Sequence, residues 1–216
     1  MPLQVIREKD NESTSDQSFR WYRDFFKRVC DIIFSLVAIT LLALPMLVIA
    51  LLIKIDSPEE PILFKQTRVG KDDVPFTIFK FRSMSKDAPH QIATENFENP
   101  EKYITSIGKI IRKMSLDELP QLFNVLKGDM SIIGPRPLIT SEKKVLLLRD
   151  KSGASHIFPG ITGLAQVHGR DEVTDEDKAA YDGKYALNIN ILLDLSIFLK
   201  TVFDVVKSRG IHEGKK

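Results

Sequence analysis

The sequence predicts an α+β fold that is mainly helical: one compact domain with a small β-hairpin, joined to a membrane-inserted helix and carrying interfacial amphipathic helices. Three observations predict it. Residues 32–53 contain no charged side chain. Two short apolar segments, Ile62–Phe64 and Phe76–Phe81, flank the turn-rich Val69-Gly70-Lys71-Asp72-Asp73, as in a hairpin. Elsewhere apolar residues recur every three or four positions, the period of a helix with one apolar face.

Residues 1–21 form a polar tail of mixed charge, with Asp10-Asn11-Glu12-Ser13-Thr14-Ser15-Asp16 at its centre and too little apolar surface to order itself. The apolar run that follows starts too late and runs too long for a cleavable signal peptide. As a helix, Ile32–Ile53 reaches about 33 Å against a hydrocarbon core of about 30 Å, so residues 22–54 are assigned to the membrane. Arg20, Arg23, Lys27 and Arg28 precede the run, and Lys54, Lys65, Arg68 and Lys71 follow it. Positive charge therefore chooses neither side. Pro45, after Leu44, removes a backbone donor and frees the Leu41 carbonyl. A kinked single span fits this pattern. A re-entrant helix-break-helix with both ends on the cytosolic face also fits, and explains the proline and the matched flanks together.

Residues 55–210 form the cytosolic domain, and 211–216 a short C-terminal tail. In the second strand Phe76, Ile78 and Lys80 share one face, so Lys80 either reaches around to the edge or points into a polar site. Residues 86–102 read as a loop, and Ile104–Met114 as a helix carrying Lys109, Arg112 and Lys113. Thr174 with Asp177 makes a capping box opening a helix through Tyr185, and this is preferred over a metal-binding Asp-x-Asp in Asp175-Glu176-Asp177. The last helix, Leu187–Lys207, sets a broad apolar arc against Lys200, Asp204 and Lys207; it packs on the core, lies in the membrane interface, or does both.

Composition narrows the function. Net charge is +2, which offers no argument for nucleic-acid binding. One cysteine, Cys30, excludes an internal disulfide and fits a reducing compartment. His90, His156, His168 and His212 lack metal-ligand spacing.

The chain is organised around Ser115–Pro137. Two carboxylates, Asp117 and Glu118, stand where a helix begins, with Leu119, Leu122, Phe123 and Leu126 behind them at the spacing of a buried face. Gly128 follows Lys127, as at a helix C-terminus. If Ser115 caps the helix, Glu118 completes a capping box. If the helix starts at Leu119 or Pro120, both carboxylates lie just outside it, beside free N–H groups that also attract phosphate. Gly134-Pro135-Arg136-Pro137 then forms a rigid turn presenting one guanidinium.

Read whole, Ser-Leu-Asp-Glu-Leu-Pro-Gln-Leu-Phe-Asn-Val-Leu-Lys-Gly-Asp-Met-Ser followed by Gly-Pro-Arg-Pro resembles the bacterial sugar transferases, the monotopic phosphoglycosyl transferases that begin glycan assembly on a polyprenol phosphate. Lys80-Phe81-Arg82-Ser83-Met84 upstream, and Pro159-Gly160-Ile161-Thr162-Gly163 with Gln166-Val167-His168-Gly169-Arg170 downstream, extend the resemblance over about residues 22–210. It implies the re-entrant helix broken at Leu44–Pro45, at the bacterial inner membrane. It implies Asp117 as the nucleophile that takes a phosphosugar from a UDP-sugar, N-acetylated by family habit, and passes it to polyprenol phosphate. Glu118 is then a general base or a ligand, with Asp117, of Mg2+. Lys80, Arg82, Arg112 and Arg136 become phosphate contacts, and Gln166 and Arg170 line the nucleotide side. Two departures stand out: Leu44 replaces the usual serine before the proline, and His168 replaces an asparagine. A homo-oligomer is compatible with the sequence. The rival readings are a metal-dependent glycosyltransferase releasing UDP and a membrane-anchored scaffold; the chain lacks the strand-helix alternation and glycine-rich turn of a doubly wound nucleotide domain.

Overall fold

The computed structural model describes residues 21–89, 99–169 and 173–207. A single π-helical turn, Tyr22–Phe26, leads into helix α1, Lys27–Asp56. The chain then forms a hairpin of β1 (Leu63–Val69) and β2 (Pro75–Phe81), antiparallel with Phe64 opposite Lys80. Helix α2 (Ser106–Lys113) and a 3-10 turn at Leu116–Glu118 precede α3 (Gln121–Lys127). Strand β3 (Ser131–Ile133) pairs in parallel with β4 (Gly160–Thr162), with α4 (Lys143–Lys151) between them. Helices α5 (Asp175–Leu187) and α6 (Ile191–Val206) follow.

The charged residues at the start of α1 explain how an apolar helix is held to a polar domain. Asp31 is buried and accepts from Ser131 Oγ at 2.7 Å and from the Ile132 N–H at 3.0 Å. Lys27 reaches Asp194 at 2.7 Å, and Arg28 donates to the carbonyls of Leu126 and Met130. At the other end Ile49 and Ile53 pack with Phe81 and Ile111. Both ends of α1 are thus docked on one domain. Between them only 17 % of its most apolar window is buried, so α1 is no core helix of a water-soluble protein, and a helix of this length and exposure fits membrane association. The expected interruption is absent from the secondary structure itself: the helix continues through Leu44 and Pro45. A proline removes one ladder hydrogen bond, and the strongly helical residues on either side carry the conformation past it.

The main core joins Phe76 and Ile78 of β2, Leu122 and Val125 of α3, β3, Tyr185 and Ile197. Phe123 departs from the expected buried face and is 46 % exposed. The helix begins later than a Ser115 cap requires, and Gln121, Leu122, Asn124 and Val125 face inward instead. Gly128 ends α3 at φ +100°, as the sequence predicts. Pro159–Gly163, read as a turn, holds the short strand β4. The last helix also resolves. Its inward strip is Asp194 and Ile197, while Ile191, Leu192, Leu195, Leu199 and Val206 are more than half exposed.

Candidate active site

Asp117 and Glu118 occupy the 3-10 turn before α3, not the helix itself. Ser115 adopts φ +54° and makes no side-chain cap bond, so the capping box does not form. Pro120 caps α3 with φ −62°, the value its ring imposes anyway. The left-handed Ser115 turns the chain sharply between α2 and α3, and the two carboxylates sit on that corner. Asp117 is buried, and Glu118 pairs with Lys80 at 2.8 Å and with Arg136 at 3.8 Å.

What registers Lys80 against Glu118 is a residue that the pattern of apolar spacing passes over. Asn124 is fully buried; its amide donates to the Thr77 carbonyl at 2.7 Å and its oxygen accepts from the Phe79 N–H at 2.9 Å. One side chain therefore substitutes for a neighbouring strand and locks α3 to β2. A polar residue inside an otherwise apolar helical run is the signal that would have found it.

A cavity of about 540 Å³ opens over this corner, lined by Asp117, Glu118, Lys80, Arg112, Arg136 and Gln166 among others. Five of the predicted site residues are thus brought together with Gln166 at one wall. The Gln166 amide donates to the Ile161 carbonyl at 3.0 Å, and its oxygen is buried without a hydrogen-bond partner among the described residues. Arg82 also borders the cavity, but its guanidinium donates to the Pro61 carbonyl at 2.8 Å and lies 3.5 Å from Glu60. It braces the segment leaving α1. Arg170 lies outside the described residues.

Burial raises the Asp117 pKa; the Lys80 ammonium opposes this, the Glu118 carboxylate reinforces it, and Arg112 again lowers it. A carboxylate held out of water among cations is weakly solvated, which suits a nucleophile more than a structural ion.

Four further residues shape the site. The Arg136 carbonyl accepts from Arg149 at 2.8 Å, and the Pro137 carbonyl from Arg68 at 3.1 Å. Arg149 is itself gripped by the fully buried Asp182, at 2.6 and 2.8 Å. Burial, and then the neighbouring Arg136 charge, push the Arg68 guanidinium down to about 10, still protonated at neutral pH. Two guanidiniums, the buried Arg149 and the half-buried Arg68, hold the backbone on either side of the Arg136–Pro137 bond. Gly134 permits this turn to pack, since a Cβ there would lie 2.3 Å from the Phe158 carbonyl oxygen.

Residues 22–208 match the family profile described as "Bacterial sugar transferase". The "Uncharacterized sugar transferase EpsL" of Bacillus subtilis is 43 % identical over 71 % of this chain and 74 % of its own length. The "UDP-N-acetylgalactosamine-undecaprenyl-phosphate N-acetylgalactosaminephosphotransferase" of Aeromonas hydrophila is 40 % identical over 86 % of this chain and 45 % of its own. A "UDP-glucose:undecaprenyl-phosphate glucose-1-phosphate transferase" of Klebsiella pneumoniae is also 40 % identical, over 82 % of this chain and 39 % of its own. The chain thus spans less than half the length of these last two relatives.

Proposed function

Because the chain belongs to the bacterial sugar transferase family, and so is a transferase, we propose that it moves a sugar 1-phosphate from a UDP-sugar to polyprenol phosphate at the cytosolic face of the bacterial inner membrane. The relatives named for UDP-sugar and undecaprenyl phosphate support these two substrates, in the first membrane step of glycan assembly. The observation that carries the reading is the buried Asp117 at a corner where Lys80, Arg112 and Arg136 line one cavity.

In this reading Asp117 attacks the sugar-linked phosphorus; the bond to the UMP oxygen breaks, and UMP leaves with the electron pair. The acyl phosphate that remains is attacked by an oxygen of polyprenol phosphate, which restores the Asp117 carboxylate and gives a polyprenyl diphosphate sugar. Lys80, Arg112 and Arg136 stabilise charge on the phosphoryl oxygens. Glu118, already paired with Lys80, orients that ammonium. The buried Gln166 oxygen accepts from a donor on the nucleotide or sugar.

Among the described residues no group of three or more His, Cys, Asp or Glu side chains forms a metal cage. The paired carboxylates in the cavity nonetheless fit Mg2+, which binds through one or two carboxylates with substrate oxygens and water. Asp117 and Glu118 would hold it, and when bound it offsets the charge of the diphosphate.

The re-entrant topology belongs to the same reading. Both ends of α1 docked on one domain, at Asp31 and at Ile53, support a chain that enters and leaves the bilayer on one side.

The nucleotide that leaves tests the reaction. Purified protein with Mg2+, polyprenol phosphate and UDP-sugars should release UMP, and chelation should stop the release. Labelled UMP should also exchange into UDP-sugar without any acceptor. UDP as the sole product would replace this reaction by sugar-only transfer, and UMP release without exchange would remove the covalent intermediate.

A further inference from the structure

Two short elements carry the site. Helix α3 has 7 residues, with Asp117 and Glu118 just before its start, and β3 has 3, with Arg136 just beyond its end. Neither is long enough to hold its own place. A helix of two turns is unstable alone, and β3 lies in a sheet of only two strands. Chain order makes them the two arms of a hairpin: α3 leads away from the carboxylates, Gly128 turns the chain, and β3 leads back. At the open end the Arg136 guanidinium and the Glu118 carboxylate come within 3.8 Å.

The closed end of this hairpin is gripped by the first turns of α1. Arg28 spreads its fork across the Gly128 turn. It donates to the Leu126 carbonyl, in the last turn of α3, at 3.2 Å, and to the Met130 carbonyl, just before β3, at 3.3 Å. Asp31 is three residues on and shares that face of the helix. It accepts from the Ile132 N–H at 3.0 Å and from the Ser131 hydroxyl at 2.7 Å. Successive N–H groups of a strand point to opposite sides. Those of Ser131 and Gly134 go to the Pro159 and Thr162 carbonyls, both at 2.8 Å, and the one between them that faces α1 goes to Asp31. Because Asp31 is buried, water does not stand in for it if these bonds are lost. A second route returns to the same helix. The Tyr185 hydroxyl lies 3.2 Å from the Ile133 carbonyl and donates to Asp194, which accepts from Lys27.

We infer that Arg28 and Asp31 are positioning residues: by holding the closed end of the α3–β3 hairpin they set Arg136 against the Asp117–Glu118 corner. The inference rests on the proposed function for the identity of the reacting groups. It adds that their spacing is fixed from α1, which makes this helix part of the catalytic frame as well as an anchor. The guanidinium fork matters more here than its charge, since it bridges two carbonyls on two different elements.

The test uses the whole protein in lipid nanodiscs and labelled-UMP exchange. Asp31→Ala removes both bonds to β3 and should slow exchange by on the order of 100-fold if Arg136 shifts by about 1 Å. Asp31→Asn should keep most of the rate, because its oxygen can accept from Ile132 and its amide can donate to the Ser131 oxygen. In an Arg136→Ala background Asp31→Ala should cost little more. Losses that multiply in the two backgrounds would mean a general loss of folded protein, and the inference would fall. Arg28→Lys, which keeps the charge and loses the fork, applies the same comparison if Asp31→Ala does not fold. The spacing can also be read without turnover, from spin labels on Lys113→Cys and Thr140→Cys, two exposed positions, in a Cys30→Ser background. Their distance distribution should widen with Asp31→Ala and not with Asp31→Asn; an unchanged distribution would overturn the assignment. Absence of UMP exchange in the unaltered protein would sink the proposed reaction instead, and the label distances would still decide the positioning.

Discussion

Asp117, the nucleophile of the proposed reaction, is where function and stability would oppose each other. Its folded pKa lies above the unfolded value, so folding takes up a proton at this group. The stability it contributes is fully present below the unfolded value near pH 4 and is lost as pH rises through the folded value. Asparagine resembles the protonated acid at every pH. Asp117→Asn should therefore raise Tm at neutral pH, by about 2–4 °C per kcal/mol relieved, and the advantage should vanish on acidification. The same variant should form no sugar-phosphate adduct by intact-protein mass. A variant less stable than the parent at neutral pH would contradict the burial argument. Arg149 offers a second test, because it acts on Arg136 through a backbone carbonyl. Arg149→Lys, which loses the fork that serves Asp182 and that carbonyl together, should slow UMP exchange by on the order of 100-fold if it shifts Arg136 by about 1 Å. In an Arg136→Ala background the same substitution should cost little more. Additive losses would mean that Arg149 works independently of Arg136.

At the scale of elements, α1 decides the topology. It is one continuous helix of 30 residues, about 45 Å long, with its two ends docked on one domain. Cysteines replacing Arg23 and Lys71, one at a time in a Cys30→Ser background, should both be shielded from an impermeant thiol reagent in intact cells. Labelling of only one would mean that α1 crosses the bilayer. Pro45→Ala should shift part of the population toward crossing, because it restores the donor whose loss lets the helix bend.

For the whole molecule, most of the exposed large apolar side chains among the described residues lie on α1, on α6 and at the aromatic stretch with Trp21, Phe25 and Phe26. This side is expected to meet lipid. With Trp21→Phe removing the one native tryptophan, Phe203→Trp should be quenched by brominated lipids, and Val74→Trp, on the hairpin turn, should not. If the Phe203→Trp fluorescence responds only to a water-soluble quencher, α6 does not lie in the membrane.

The sequence by itself determined most of the elements and the family. The charge-free run, the hairpin, the Thr174 cap, Gly128 at the end of α3 and the Asp117–Glu118 pair are local in cause: each follows from side-chain transfer energy, backbone dihedrals or capping within a few residues. Only the tertiary structure decided whether Asp117 and Glu118 cap a helix or stand before it, because that depends on Lys80, 38 positions away, competing for Glu118. The same holds for Arg68, Asn124, Arg149 and Asp182. In a linear reading they are a strand charge, a helix interruption and surface ions; the fold gives Arg68 the Pro137 carbonyl, Asn124 the backbone of β2, and Arg149 and Asp182 each other, all distant in sequence. The outward turn of α6 belongs to this class as well. Its periodicity predicts one broad apolar face, but Asp194, required by Lys27, Tyr22 and Tyr185, turns that face away from the core.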